Sequence, residues 1–240
     1  TFTTKELPCV QKVERYSWAN YEKTPKLSRD KRIVLFLSSG KVSDAWESFV
    51  KSHNAIVVAS EECSYSGENR VFPSLLASQK GFRANPKYKR LKPDLIIDAG
   101  EMSGDYPGYG SLCDTAPVWR VSADGELRDR FRCLECVFEM PAKRFVERYS
   151  GNPMMSTYYK DWEEADAELR ARIPEIPFSN PWIAKETSPR IPKGAVVHFG
   201  ILNSLRSWNL FPVDRAVCTS CNVGGFGIDG GVSTLIGASL

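Results

Sequence analysis

The densest group of residues able to do chemistry is Asn222 to Gly231 (NVGGFGIDGG). There, glycines at 224, 225, 227, 230 and 231 are separated only by Phe226, Ile228 and Asp229. Glycine is required where backbone must approach a ligand closely or take a positive φ. The strand-like run Arg215 to Thr219 enters this loop, and the apolar, helix-like segment Val232 to Leu240 leaves it. A helix starting after Asp229 would aim free N–H groups back at the loop, an arrangement suited to phosphate. Gly225, Gly227 and Gly230 spell G-x-G-x-x-G, the dinucleotide fingerprint, but the acidic residue it needs about twenty positions on would lie past Leu240. A second reading leaves the glycines as a tight turn with no ligand.

The other reactive side chains are sparse. Cys133/Cys136 and Cys218/Cys221 form two C-x-x-C pairs whose four thiolates could hold structural zinc. Their wide separation, and the apolar setting of Leu134, Cys136 and Phe138, favour reduced core thiols instead. Seven cysteines, an odd number, argue against a disulfide framework. His198 lies mid-strand in AVVHFG and reads as a satisfied buried imidazole. His53 lies at a helix end and reads as a C-terminal cap. Glu61-Glu62 and the acidic run Asp161 to Asp166 read as solvated faces. No catalytic Ser/His/Asp order and no metal-ligand cluster stands out.

The elements that must position these residues alternate along the chain. Apolar, β-branched runs at Arg32–Leu37, Ala55–Ala59, Leu95–Ala99, Val118–Val121 and Leu134–Phe138 read as strands buried on both faces. Between and after them come helix patterns. One follows Ser43, with Trp46, Phe49 and Val50 on one face; a short one spans Pro73 to Gln79, and a long charged one spans Met154 to Arg172. The expected fold is therefore α/β, a doubly wound, Rossmann-like parallel sheet, followed by the beginning of a second α/β unit. The expected boundaries are a lead-in over 1–29, the sheet domain over 30–178, a Pro-rich linker over 179–192 and the truncated second unit from 193 to 240. The linker lies in a stretch with prolines at 174, 177, 181, 189 and 192.

Composition bounds the function classes. The chain of 240 residues is 42% hydrophobic and 25% charged, enough apolar content for a core. A net charge of +3 with interspersed signs gives no footprint for nucleic acid. No apolar run is long enough to span a membrane. The first residues lack both a signal-peptide pattern and an initiator Met, so the expectation is a cytoplasmic, excised segment of a longer protein.

Asn203-Ser204-Leu205, then Asn222-Val223-Gly224-Gly225-Phe226-Gly227-Ile228-Asp229-Gly230, then Ser233-Thr234, resembles the start of the diphosphate-binding domain of the 2-succinyl-5-enolpyruvyl-6-hydroxy-3-cyclohexene-1-carboxylate synthases. These are thiamine-diphosphate enzymes of menaquinone biosynthesis. Lys92 to Ile97 and Val118 to Val121 resemble strands of that family's middle domain. The resemblance implies a piece comprising the middle domain and the opening of the diphosphate domain, inactive alone and binding no cofactor by itself. The full-length protein would be a homo-oligomer using thiamine diphosphate and Mg2+, with a small-molecule 2-oxo acid and an acceptor as its partners.

Carried over by residue, the resemblance implies cofactor binding by Asn203, Ser204, Leu205, Gly227 and Ile228, with Ile228 beneath the bent cofactor and no catalytic side chain. Family cations fall on Val223, Trp208 and Asp105 here, leaving Arg206 as the nearby substrate-binding candidate, with Arg215 as a further replacement cation. That departure implies an acceptor less anionic than isochorismate. A free-standing Rossmann-like binding or scaffold module is the other class of reading.

Overall fold

The computed structural model describes residues 12–39, 42–79, 81–82, 84–223 and 230–239. A seven-stranded sheet is built from β1 (Glu14–Ser17), β2 (Ile33–Leu37), β3 (Ala55–Ala59), β4 (Arg70–Val71), β5 (Leu95–Asp98), β6 (Val118–Ser122) and β7 (Leu134–Glu139). Its order is β1-β7-β6-β5-β2-β3-β4, and every pairing is parallel. Strands β2 and β3 are buried along their whole length, as their continuous apolar sequences require. After the edge strand β1, the chain enters the middle of the sheet with β2, winds outward through β3 and β4, then returns to build β5, β6 and β7 on the other side. The fold is thus the expected doubly wound α/β sheet.

Alternate residues of each strand face opposite layers, which creates two cores. On one face Ile33, Leu35 and Val57 pack with Trp46 and Phe49 of α1 (Trp46–Ser52) and with Phe145 of α4 (Ala142–Tyr149). On the other, Val34, Phe36 and Ile56 meet Leu76 of α2 (Ser74–Ala77) and Tyr158 and Trp162 of α5 (Thr157–Arg170). A short helix, α3 (Tyr106–Gly110), follows β5.

Strand β1 is a departure from expectation, because its polar sequence carries no strand pattern. It is held at the sheet edge by its register with β7, by Arg15 Nη1 on Glu139 Oε2 at 2.7 Å, and by Tyr16 packed on Phe138 with ring centroids 5.3 Å apart.

After α6 (Asn180–Thr187), a small second layer begins. Strand β8 (Val196–Phe199), helix α7 (Asn203–Leu210) and strand β9 (Cys218–Cys221) form a βαβ unit with β8 and β9 parallel. Its core is Phe199, Ile201, Leu205, Cys221 and Val223. Helix α8 (Gly230–Ala238) carries Val232, Leu235 and Ile236 exposed. The run at Arg215 is a turn rather than strand: Asp214 Oδ1 accepts the Ala216 N–H at 2.8 Å, and pairing starts only at Cys218.

Candidate functional site

Helix α7 presents the first group of expected residues. The chain leaves β8 through Gly200 and turns at Leu202, whose φ of 72° opens the helix without a side-chain cap. Asn203 and Ser204 follow, exposed to solvent, and as at any helix start their N–H groups have no intrahelical acceptor. Leu205 is fully buried, and its N–H is spent on Gly200 O at 3.1 Å. The three residues are therefore adjacent but unlike: two face outward at a helix N-terminus, and the third anchors the helix to its core. Gly227 and Ile228 lie outside the described residues, as does most of the glycine loop.

The positions where cations were missing separate by environment. Val223 is 1% exposed and packs in the small core. Trp208 packs against Phe199 in a tilted pair with centroids 5.6 Å apart. Asp105 is buried at the start of α3, where its carboxylate accepts the Gly108 N–H at 3.2 Å and the Ser74 hydroxyl at 3.1 Å. Burial pushes its carboxyl up, opposed by Gly108, Ser74, Asn209 and Arg206. Arg206 thus stands beside Asp105, with its guanidinium 5.7 Å from the Tyr106 ring centroid and Nε without a hydrogen-bond partner among the described residues. Arg215 instead donates to Tyr159 Oη at 3.2 Å, on the α5 side.

The zinc reading fails on geometry. Cys136 belongs to one sheet core and Cys133 borders the other, while Cys221 is buried and Cys218 exposed. Residues three apart on extended chain point to opposite faces, so neither pair converges. His53 caps α1 as expected, its Nδ1 3.0 Å from Phe49 O, and His198 Nδ1 lies 2.7 Å from Ser220 Oγ.

Glu61 and Glu62 overturn the expectation of a solvated face: they are 0% and 3% exposed. They follow β3 at its C-terminal end, where the second unit docks. Glu61 N–H donates to Asn209 Oδ1 at 2.9 Å, and Glu61 Oε1 accepts the Val213 N–H at 2.8 Å. Arg70 Nη2 lies 3.5 Å from Glu61 Oε2 while its guanidinium also donates to the carbonyls of Ala59, Ser60 and Tyr65. Burial pushes the Glu61 carboxyl up and Arg70 opposes it. Two acids one residue past a wholly apolar strand, at the sheet end where ligands of α/β folds sit, were the available signal.

The switch point between β2 and β5, where such sheets commonly take a ligand, is furnished from within. Asp98 and Arg120 are both fully buried, with Arg120 Nη1 at 3.3 Å and Arg130 Nε at 3.2 Å from Asp98 Oδ2. Ser39 N–H donates to Met102 O at 3.1 Å across the same gap.

No family model matches the chain. It is similar to the 2-succinyl-5-enolpyruvyl-6-hydroxy-3-cyclohexene-1-carboxylate synthase of Bacteroides fragilis, 30% identical over 154 residues that cover 62% of this chain and 27% of that protein. The synthase of Bacteroides thetaiotaomicron is 28% identical over 157 residues, covering 63% and 28%. That of Christiangramia forsetii is 44% identical over 66 residues, covering 28% and 11%. The chain spans about a quarter of the length of the first two.

Proposed function

We propose that this chain is part of a thiamine-diphosphate-dependent synthase that joins the succinyl unit of 2-oxoglutarate to isochorismate. In this reading it contributes the middle, scaffolding domain and the first βαβ unit of the diphosphate-binding domain. The observation that carries the reading is the similarity of more than half the chain to those synthases. The furnished switch point speaks against a free-standing nucleotide-binding module.

The residues present fit a diphosphate at α7. Exposed Asn203 and Ser204 offer side-chain donors beside unspent helix N–H groups, the polarity an anion requires. Bound thiamine diphosphate would supply the decarboxylation of the 2-oxo acid and the transfer of its acyl unit. Asn203 and Ser204 would orient the diphosphate, and Leu205 would fix the helix that carries them. Arg206 would hold a substrate carboxylate. In this reading the parent protein is a homo-oligomer and its Mg2+ ligands come from outside this chain. With Asp105 capping α3 and Val223 in the core, Arg206 is left to hold the acceptor's negative charge, which favours an acceptor less anionic than isochorismate as the second reading.

The test is turnover by the parent protein with 2-oxoglutarate, isochorismate, thiamine diphosphate and Mg2+. Formation of the succinyl-cyclohexene product supports the first reading. Decarboxylation without that product supports the second, and no decarboxylation overturns both. The 240 residues alone are expected to be inactive.

A further inference from the structure

Glu62 is a buried acid without the partner its neighbour has. Glu61 faces Arg70, but among the described residues no Lys or Arg reaches ion-pair distance of Glu62. Its Oε2 accepts the Gly104 N–H at 2.6 Å, and its Oε1 is buried without a hydrogen-bond partner among the described residues. Gly104 in turn lies directly against Leu205 and Val223. One carboxyl of the sheet domain thus holds the loop on which both α7 and the chain leading into the glycine loop are seated.

The charged and titratable groups around it come from four elements. Glu61 and Cys63 share its loop, Asp105 faces it from the β5–α3 loop, Arg130 from the segment before β7, and Cys221 from β9. Two of these are like-charged acids, and Arg130 is engaged with Asp98. The hydroxyls of Ser103 and Ser60 and the Gly104 N–H favour the carboxylate, but they carry no charge and burial outweighs them. An ionised Glu62 would be a buried anion with no contacting cation, the arrangement most costly to keep out of water. Burial accordingly pushes its carboxyl up to about 7.

We propose that Glu62 is a proton-linked positioning residue for the diphosphate-binding unit. With its proton, the side chain stays buried and holds the β5–α3 loop against Leu205 and Val223. Without it, the carboxylate turns toward water and the seam loosens. The effect on cofactor affinity rests on the function proposed above; the clasp itself does not.

Hydrogen exchange of the Leu205 and Arg206 amides in the 240-residue chain reads the seam without cofactor. After correction for intrinsic rates, protection is expected to fall about tenfold from about pH 6 to about pH 8.5. Glu62→Gln keeps an acceptor for Gly104 and no charge at any pH, so its protection should change less than about twofold. An equal fall in the variant, or none in the wild type, overturns the proposal. Should the variant not fold, carbon-13 titration of the wild-type side chain decides: a midpoint near 7 supports the clasp, and one below about 5 refutes it.

In the parent protein, the ratio of wild-type to Glu62→Gln affinity for thiamine diphosphate should also drop as pH rises. A constant ratio breaks the link to the cofactor. No binding by either protein defeats the proposed function and leaves the exchange result to judge the clasp.

Discussion

Gly104 and Val223 meet across the seam so closely that a Cβ built on Gly104 would stand 2.9 Å from Val223 Cγ1 and 3.0 Å from Leu205 Cδ2. The sheet domain and the βαβ unit are therefore fitted to one another at the level of single carbon atoms, and the glycine is there for clearance.

Gly104→Ala should destabilise the chain by about 1–2 kcal/mol, the usual cost of overpacking a tight contact. In a Val223→Ala background the closer of the two contacts is gone and only Leu205 must give way, so the same substitution should cost about 1 kcal/mol less. Urea unfolding of the two single variants and the double variant measures this, and strict additivity would refute the contact.

Asn209 is wholly buried and accepts the Glu61 N–H. Asn209→Ala leaves that donor unpaired and should cost about 1–3 kcal/mol. Asn209→Asp should be worse, because it adds a carboxylate beside Glu61 and Asp105. Thermal unfolding ranks the pair; an aspartate variant more stable than the alanine one would contradict the charge argument.

His53 is buried, 4.1 Å from the Phe49 ring centroid in a stacked pair, and burial holds its imidazole below the ordinary 6.5. The unfolded chain therefore takes up this proton first as pH falls. The stability His53 contributes is complete above 6.5 and is lost as pH drops below it. Glu62 runs the other way: the folded state holds its proton more tightly, so stability declines as pH rises from 4.5 to about 7. Comparing wild type with His53→Gln at mildly acidic and neutral pH isolates the first effect. Parallel losses in both proteins would assign acid sensitivity elsewhere.

Asn203 and Ser204 are exposed, so Asn203→Ala and Ser204→Ala should leave melting temperature nearly unchanged, as surface substitutions usually do. In the parent protein, each should weaken thiamine diphosphate binding about tenfold, one lost hydrogen bond to a charged group. Calorimetric titration checks this, and unaltered affinity in both variants would remove α7 from the site.

The apolar strands were legible because burial on both faces leaves no alternation to disguise: Ile33–Leu37 and Ala55–Ala59 match their expected runs within a residue. Trp46, Phe49 and Val50 were legible through helical spacing, and each is buried as expected. What stayed hidden depends on partners remote in sequence. Strand β1 is polar and exists through its pairing with β7. Glu61 and Glu62 are buried by Asn209, Val213 and Gly104, none of which lies near them in the chain. Asn203 and Ser204, expected from resemblance to bind cofactor, stand at a helix start, whereas residues 224–229 of the glycine loop lie outside the described residues.

The edge pairing of β1 bears on how the sheet is assembled. Arg15 and Glu139 are 124 residues apart in the chain, whereas β2 and β3 adjoin in sequence. Closing so long a loop is entropically dear and is rewarded by only four paired residues. The central strands can zip before β1 arrives, and until it does the outer side of β7 is a bare template with unsatisfied N–H and C=O groups. The short polar strand is thus a cover for the β7 edge, and a chain whose β1 were displaced would offer that edge for pairing with another.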